Sequence, residues 1–452
     1  MWVFALKPDK EGNVDELKAR LVVMGNHQRP GEYKDTFAPC ARMASLRLAV
    51  AIAAKLKLRR GGADFVAAYL NSETKEDLYV YPPPWSQTYT KGVKDVHKLL
   101  KSIYGTRQAG ADWWAELETL LLSLGFTPMK HDPCLFIKAT PKGVIMVLTW
   151  VDDLPIFAST DEMILEFIDQ LHASKYKVKA NLRLDWILNI RITELEEGLY
   201  MDQEMYIDQM LERFNMTDAA DVSTPMEKRP LRSDRPEEGS EEQRAMKYVP
   251  YLSLVMSVAY LAQVTRPGLS YAVSQLARHQ KNPGRKHWEA AKHLLRYCKA
   301  TKDQGLLYRK GKNECHNHGI LFDPNDPDDW PIGFSDADWA GDVEKAYSTT
   351  GYSLHLSRDS APYQWGSTKQ TIIARSTCEA ELTAAFTCGE QADLSRQMLI
   401  EMSMVQRANA PAYPVVIRPI PIMEDNQPAI SVATKPYNTS YVPSDRPGPF
   451  LD

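Results

Sequence analysis

Two adjacent carboxylates, Asp152 and Asp153, interrupt an otherwise apolar stretch, GVIMVLTWVDDLPIFAS, running from Gly143 to Ser159. Short apolar runs bounded by Gly and by charge read as buried β-strands, which puts the pair at the tight turn of a hairpin. Like charges held together at a strand end repel each other and are costly to desolvate unless a cation lies between them. Carboxylate oxygens in that position favour a hard divalent ion such as Mg²⁺. An ordinary Asp-Asp turn on the solvated end of a hairpin has the same local sequence, so the surroundings must decide. A second acidic constellation lies downstream: Asp336 and Asp338 in GFSDADWAGD, Glu379 and Glu381 at a helix start in ARSTCEAELTAA, and Glu424 and Asp425 ending the apolar strand of PIPIMEDNQPAI.

The elements that must position these groups are spread over 452 residues, enough for about two to four domains with real cores. A net charge of −4 argues against a uniformly basic nucleic-acid binder, but the charge is segregated. Residues 1–60 carry twelve Lys/Arg against six Asp/Glu, a net +6, and residues 278–312 carry eleven against two, a net +9. Such patches fit surfaces that track a phosphate backbone, or else solvated helix faces. The six cysteines form no C-x-x-C pair and read as reduced thiols of an intracellular protein. Cys315-His316-Asn317-His318 lacks a second ligand pair at finger spacing and reads as a loop. The N-terminus has no basic region followed by an apolar core, and Lys55 interrupts the apolar Leu46 to Leu56 stretch, so a soluble protein with no membrane partner is expected.

Several elements follow from pattern alone. Apolar residues at 113, 114, 117, 120, 121 and 124 share one helical face and predict a core helix. The Pro-rich loop of LYVYPPPW ends a short strand. Residues 217–247 are polar, Pro-containing and mixed in charge, and read as a linker. Residues 248–279 and 282–308 read as helices, with His287 and Trp288 either packed on sugar or base beside phosphate-binding Lys/Arg, or in the core. STTGYSLHL and APYQWGSTKQTIIARS read as alternating strands.

Asp64 in ADFVAAYLN precedes an apolar and aromatic segment that includes Tyr69. This segment and the Asp152-Asp153 hairpin together resemble the palm of reverse transcriptases, specifically the copia-type retrotransposon polymerase with its D-x-x-x-A-[FY]-L-N segment and [YF]-V-D-D hairpin. The resemblance implies that Asp64, Asp152 and Asp153 hold two Mg²⁺ or Mn²⁺ ions, one at the primer 3′-OH and the other at the triphosphate, and that Tyr69 excludes a ribose 2′-OH. KARLVVMGNHQ resembles the opening strand of the fingers, which implies Lys18 and Arg20 at the incoming triphosphate; Met24 stands where that family usually has Arg. Tyr33 to Arg47 resembles the family segment that leads into an apolar helix, here ending near Leu58. KLLKSIYGTRQAGADWW resembles the Tyr-Gly turn segment and implies Tyr104, Arg107 and Gln108 near the nucleotide, although Thr106, Gly110 and Ala111 depart from the pattern. Trp150 and Pro155 also depart, and a Pro in a strand is tolerated mainly at edges or starts. Ala180, Leu182 and Asn189 stand where the family has Asp, Gly and Gly, and replacing Gly at a positive-φ turn costs stability.

Residues 248–308 resemble the family's thumb and connection. The final segments resemble its ribonuclease H domain, whose order of strand-Asp, helix-Glu, strand-Asp implies Asp336, Glu381 and Asp425 as ligands of two metals that hydrolyse the RNA of a hybrid. Asp338, Glu379 and Glu424 are expected as solvated neighbours. The implied fold is α+β: a right-hand polymerase with fingers and palm over 1–216, a linker over 217–247, thumb and connection helices over 248–312, a ribonuclease H-like mixed α/β domain over 313–435 and a disordered tail over 436–452. The implied partners are RNA template, DNA primer, RNA/DNA hybrid and dNTPs, with self-association or polyprotein partners. The implied setting is a cytoplasmic virus-like particle and the nucleus. The chain starts where the polymerase starts, with no protease or integrase ahead, which suits a free-standing enzyme or a polyprotein fragment. The tail KPYNTSYVPSDRPGPFLD stands where the family has a final helix, so ribonuclease H activity is expected to be impaired. The alternative is a decayed or domesticated copy that keeps the fold and binds nucleic acid without catalysing. The retained acids favour the enzyme; the altered turns favour the remnant.

Overall fold

The structure is a computed structural model that describes residues 1–8, 14–83, 86, 96–230, 232–313, 321–323, 326–342, 344–407 and 418–434. In chain order it carries β1 (Trp2–Pro8), β2 (Val14–Leu21), α1 (Met43–Lys55), β3 (Arg59–Phe65), β4 (Tyr79–Val80), β5 (His97–Lys98) and α2 (Ala109–Ser123). Then follow β6 (Thr127–Pro128), β7 (Leu135–Thr140), β8 (Gly143–Leu148), β9 (Asp153–Ala158), α3 (Asp161–His172), β10 (Val178–Asn181), β11 (Trp186–Ile187), β12 (Ile190–Leu195) and β13 (Gly198–Asp202). Five helices come next: α4 (Glu204–Arg213), α5 (Glu241–Met246), α6 (Tyr251–Val264), α7 (Ser270–Ala277) and α8 (Arg285–Ala300). The chain continues through β14 (Leu306–Arg309), β15 (Ile332–Asp338), β16 (Thr349–His355), β17 (Pro362–Lys369), α9 (Thr377–Arg407), β18 (Ile422–Met423) and α10 (Gln427–Thr434). It divides into two compact units: Met1–Arg42 with Arg59–Leu184 and Glu401–Tyr413, and Met43–Leu58 with Asp185–Ile400 and Pro414–Asp452. These bounds differ from the sequence-based ones, since the main division falls at Leu184 and α1 belongs to the second unit.

In the first unit β1 and β2 pair antiparallel, with Val3 opposite Arg20 and Ala5 opposite Lys18. Lys18 and Arg20, two residues apart on one strand, therefore share a face. The main sheet has the order β10-β3-β9-β8-β7-β6 and is antiparallel throughout. Val144 to Leu148 and Leu154 to Ala158 are buried without alternation, which is why both strands read as unbroken apolar runs: each face of the sheet is covered. One core joins them to the expected face of α2, with Trp113, Leu117 and Leu121 buried and Trp114, Leu120 and Leu124 packed beside them, and to Ile164, Phe167 and Leu171 of α3. Truncating one of these leucines to Ala costs about 2–5 kcal/mol. Thr160 starts α3 by accepting the Met163 N–H at 3.3 Å.

Pro155 lies inside the sheet rather than at an edge. It pairs with Gly62 of β3, while the β8–β9 register stops at Val147 opposite Ile156 and resumes only at the Trp150–Asp153 bridge. The Trp150–Asp153 bridge keeps the same register, so the gap falls at Leu148 opposite Pro155 and is the one ladder bond that the missing N–H leaves unmade.

The second unit holds two four-stranded sheets, β11-β12-β13-β14 and β17-β16-β15-β18. Helices α4, α6, α7 and α8 share one core that includes Ile207, Leu254, Leu261, Leu276 and Leu295. Helix α1 packs on β13, β14 and β17 and buries eleven of its thirteen residues. Its two buried cations are compensated. Arg47 Nε donates to the Tyr363 carbonyl at 2.7 Å with its guanidinium 3.8 Å from the Trp365 ring, and Lys55 Nζ lies 2.9 Å from the Asp329 carboxylate. Residues 217–247 carry α5 and side chains bonded to the rest of the unit, such as Arg235 donating to the Arg278 carbonyl at 2.8 Å and Asp234 paired with Lys286 at 2.8 Å.

The two ring side chains of the basic block lie in the core, while cations such as Lys281, Arg285 and Lys286 are exposed. His287 is fully buried, its Nδ1 accepting the Gly284 N–H at 2.9 Å, and Trp288 packs against the helical core. Of the three altered turn positions only Asn189 has positive φ, at 59°, and Leu188 joins it at 50° in the two-residue turn between β11 and β12; positive φ at both positions is the hairpin geometry that matches strand twist. Among the described residues no helix is long and apolar enough to cross a membrane. The Cys315 to His318 segment and the tail over 436–452 lie outside the described residues.

Candidate active sites

The hairpin turn forms as the sequence predicts. Trp150 and Asp153 exchange backbone bonds of 2.8 and 3.1 Å, which leaves Val151 and Asp152 as the two-residue loop. Val151 has φ of 60°, a conformation unfavourable for a β-branched residue. Its carbonyl accepts the buried Trp113 indole N–H at 2.6 Å. The Trp113 ring is itself fixed edge-on by Phe65 at 5.0 Å and Tyr176 at 5.7 Å. Helix α2 thus reaches under the sheet and pins the loop that carries the acids.

Strand β3 brings the third carboxylate. Asp64 lies directly opposite Asp153 in the β3–β9 register, and the Phe65 N–H donates to the Asp152 carbonyl at 3.0 Å. All three acids are half-buried. Burial, and then the charges of Asp152 and Asp64, push the Asp153 carboxyl up to about 6.

An aromatic wall stands beside these acids. Tyr69 follows Ala67, whose φ of 55° starts a 3₁₀ turn after β3. The Tyr69 ring meets Tyr104 edge-on at 4.9 Å, and the Arg20 guanidinium lies 5.6 Å from the Tyr104 ring. Both phenols are raised above their usual range by burial and by the Asp152 charge. Tyr104 is placed by a close approach of two loops: the Val23 and Gly25 N–H groups donate to the Tyr104 and Gly105 carbonyls at 2.8 and 3.0 Å. A side chain on Gly25 would start 2.1 Å from the Gly105 oxygen, so this crossing needs glycine. Arg107 locks it by donating to the Gly25 carbonyl at 2.9 Å. Gln108, expected at the nucleotide, is buried instead and accepts from Gln28 Nε2 at 3.2 Å; it holds the crossing from inside. Met24 is exposed.

The second unit draws its acids from three elements. β15 runs antiparallel to β16 and parallel to β18, with Gly333 opposite Ile422 and Phe334 opposite Met423. Continuing that register sets Asp336 beside Asp425 at the end of both strands. Helix α9 starts nearby, with Ser376 Oγ accepting the Glu379 N–H at 3.2 Å, and presents Glu381 in its second turn. Asp336, Glu381 and Asp425 each offer an oxygen within 4.8 Å of the others, the one such set among the described residues. Asp336 and Asp425 are exposed and Glu381 is buried, with an Oε2 that has no hydrogen-bond partner. Burial, then the charges of Glu424, Asp336 and Asp425, push the Glu381 carboxyl up to about 7. An orphaned buried oxygen beside two exposed carboxylates is a donor set that fits a hard divalent cation.

The three expected solvated neighbours all have partners. Asp338 accepts from Arg229 at 2.9 Å and Tyr271 at 3.1 Å, Glu379 accepts the Arg375 N–H at 2.7 Å, and Glu424 accepts from Ser335 Oγ at 2.8 Å. Glu424 is the residue sequence reasoning passed over, since it bears on Glu381 more strongly than either exposed acid.

Residues 1–228 match the family described as reverse transcriptase (RNA-dependent DNA polymerase). This chain belongs to that family. Its relatives include Pol polyproteins of copia-type plant transposons. It is 33% identical over 408 residues to the retrovirus-related Pol polyprotein from transposon RE2 of Arabidopsis thaliana, covering 89% of this chain and 26% of the relative. It is 33% identical over 411 residues to the Pol polyprotein from transposon TNT 1-94 of Nicotiana tabacum, covering 90% and 29%. The chain thus spans little more than a quarter of the length of these relatives. A foamy viral protease-reverse transcriptase solved in complex with double-stranded DNA aligns over 90% of this chain and 58% of its own, at 11% identity and a TM-score of 0.39, a likeness too loose to bear on the fold.

Proposed function

We propose that this chain is an RNA-directed DNA polymerase, extending a DNA primer on an RNA template from dNTPs, with a ribonuclease H-like second activity on the resulting hybrid. The observation that carries the reading is the register of Asp64 opposite Asp153 at a pinned Val151-Asp152 turn, beside Tyr69, Tyr104 and Arg20. In this reading the first unit supplies fingers and palm, helices α6 to α8 the thumb and connection, and β15 to β18 with α9 the ribonuclease H-like part.

Asp64, Asp152 and Asp153 would hold Mg²⁺ or Mn²⁺ in the first site, and Asp336, Glu381 and Asp425 in the second. Bound there, the ions supply charge neutralisation for nucleotidyl transfer at the first site and for hydrolysis at the second. The chain's own residues do the positioning. Arg20 and Lys18, on one face of β2, attract the triphosphate, and Arg20 is steadied over Tyr104. Tyr69 presents its ring to the sugar and excludes a 2′-OH by bulk. The half-buried acids stay poised because Trp113 fixes the turn against their mutual repulsion.

The direct experiment is Mg²⁺- or Mn²⁺-dependent dTTP incorporation on poly(rA)/oligo(dT) by the purified chain, with Asp152→Asn as control. Incorporation that the control abolishes supports the reading. A folded protein that binds the primer-template and incorporates nothing would instead be a non-catalytic remnant of the same fold.

A further inference from the structure

The second unit has a cleft of about 350 Å³ between the middle of the polar 217–247 region, the end of α7 and the turn after β15. Six cations line it: Arg229, Arg232, Arg235, Arg278, Lys345 and Lys369. Only two acids, Asp342 and Glu344, line it with them. We propose that this cleft binds clustered phosphate groups, as a site separate from both acidic clusters and beyond the polymerase reading.

The charge is not cancelled locally. Asp342 is shared by two cations, Lys369 at 2.6 Å and Arg278 at 3.6 Å. Arg229 is paired outside the cleft lining, with Asp338 at 2.9 Å. Arg235 spends its donors on neutral groups, the Arg278 carbonyl at 2.8 Å and His279 Nδ1 at 3.3 Å. The exposed side chains of Arg232 and Lys345 have no ion-pair partner among the described residues. His279 adds no charge, because burial and then the nearby His287 and Arg235 hold its imidazole down to about 4, and its Nε2 faces the Pro230 carbonyl at 3.1 Å.

Two buried donors point to an absent acceptor. Gln275 is 4% exposed, lines the cleft and has an Nε2 without a partner, and Arg278 Nη2 is buried and equally unpartnered. Buried donors are ordinarily satisfied, so these two ask for an anion with several oxygens. Arg forks match phosphate oxygens in pairs, and a net excess of cations suits linked phosphates better than a single carboxylate. The phosphates can come from a nucleic-acid strand or from a free oligophosphate chain.

The test uses the full chain in metal-free buffer at low salt, with inorganic tripolyphosphate titrated by calorimetry and a labelled RNA/DNA hybrid followed by anisotropy. Arg232→Gln with Lys345→Gln, both on exposed side chains, should weaken tripolyphosphate binding by at least about ten-fold while leaving the melting curve unchanged. Arg278→Gln should remove it, and Asp152→Asn should leave it intact, so the result does not depend on polymerase activity. A parallel loss of hybrid affinity in the double variant identifies strand phosphates as the occupant; unchanged hybrid affinity identifies a free oligophosphate. Absence of saturable tripolyphosphate binding, or equal binding by the wild type and the double variant, overturns the proposal.

Discussion

The two acidic clusters meet one electrostatic problem in different ways. In the first, two acids are chain neighbours in a strained turn and the third faces them across a ladder, all half-buried. In the second, three acids come from a strand, a helix and a strand end, and converge within 4.8 Å around one buried member. The first cluster depends on a clamp, Trp113 on Val151, to keep its backbone in an unfavourable conformation. The second needs no strained residue at its acids, because parallel register and a capped helix deliver them. Chain-adjacent ligands demand local strain, whereas ligands brought from distant elements demand only a correct fold.

The largest expected effect separates the clusters outright. Asp152→Asn should lower dTTP incorporation on the order of 10³-fold and leave RNA release from a labelled hybrid unchanged, while Asp425→Asn should do the reverse. One variant that removes both activities would break the comparison. Next comes sugar choice. Tyr69→Ala should raise rNTP use relative to dNTP by about ten-fold or more, since a lost steric block is worth that much in a pocket. An unchanged ratio in an active variant would take Tyr69 out of that role.

Smaller effects probe the clamp and the charge. Trp113→Phe removes the donor to the Val151 carbonyl at a cost of about 1–3 kcal/mol, and incorporation should fall while hybrid cleavage does not. Loss of both in equal proportion would mean that Trp113 serves general stability. In metal-free protein, Glu381 and Asp153 have folded values raised to about 7 and about 6 from 4.5 and 3.8. A raised carboxyl favours the folded state while protonated, so stability is fully present below the unfolded values and falls as pH rises from about 4 to about 7. Melting in EDTA should therefore drop across that window, Mg²⁺ should flatten the drop, and Glu381→Gln should remove part of it. A flat EDTA profile would mean that these acids are better solvated than their burial implies.

Much of this was legible in the sequence. The β8–β9 hairpin announced itself because unbroken apolar runs ending in charge have few alternatives, and the face of α2 because its spacing is helical. The triad Asp336, Glu381 and Asp425 was legible from resemblance rather than from spacing. What escaped was set by tertiary contact. Gln108 is polar in a loop segment, and nothing local says that it is buried under Gln28. Glu424 looks like a solvated twin of Asp425 until the parallel register sets it beside Ser335. Pro155 looks like a strand breaker, yet β9 runs on past the one gap that it leaves in the ladder. The 217–247 region is linker-like in composition, yet arginines at its centre line a cleft whose other wall lies more than a hundred residues on in the chain.

Helix α1 carries a consequence for biosynthesis. It is buried almost all round, and its partners β13, β14 and β17 are made long after it. At ribosomal speeds of roughly 5–20 residues per second, about 300 residues separate α1 from β17, so its apolar surface waits on the order of 15–60 s without its final cover. The first unit can close its sheet during that interval, because residues 59–184 emerge directly after the helix. The nascent chain therefore passes through a stage with its first main sheet closed and a greasy, unhoused helix tethered to it. A holdase acting on emerging chains would find its target at Met43–Lys55.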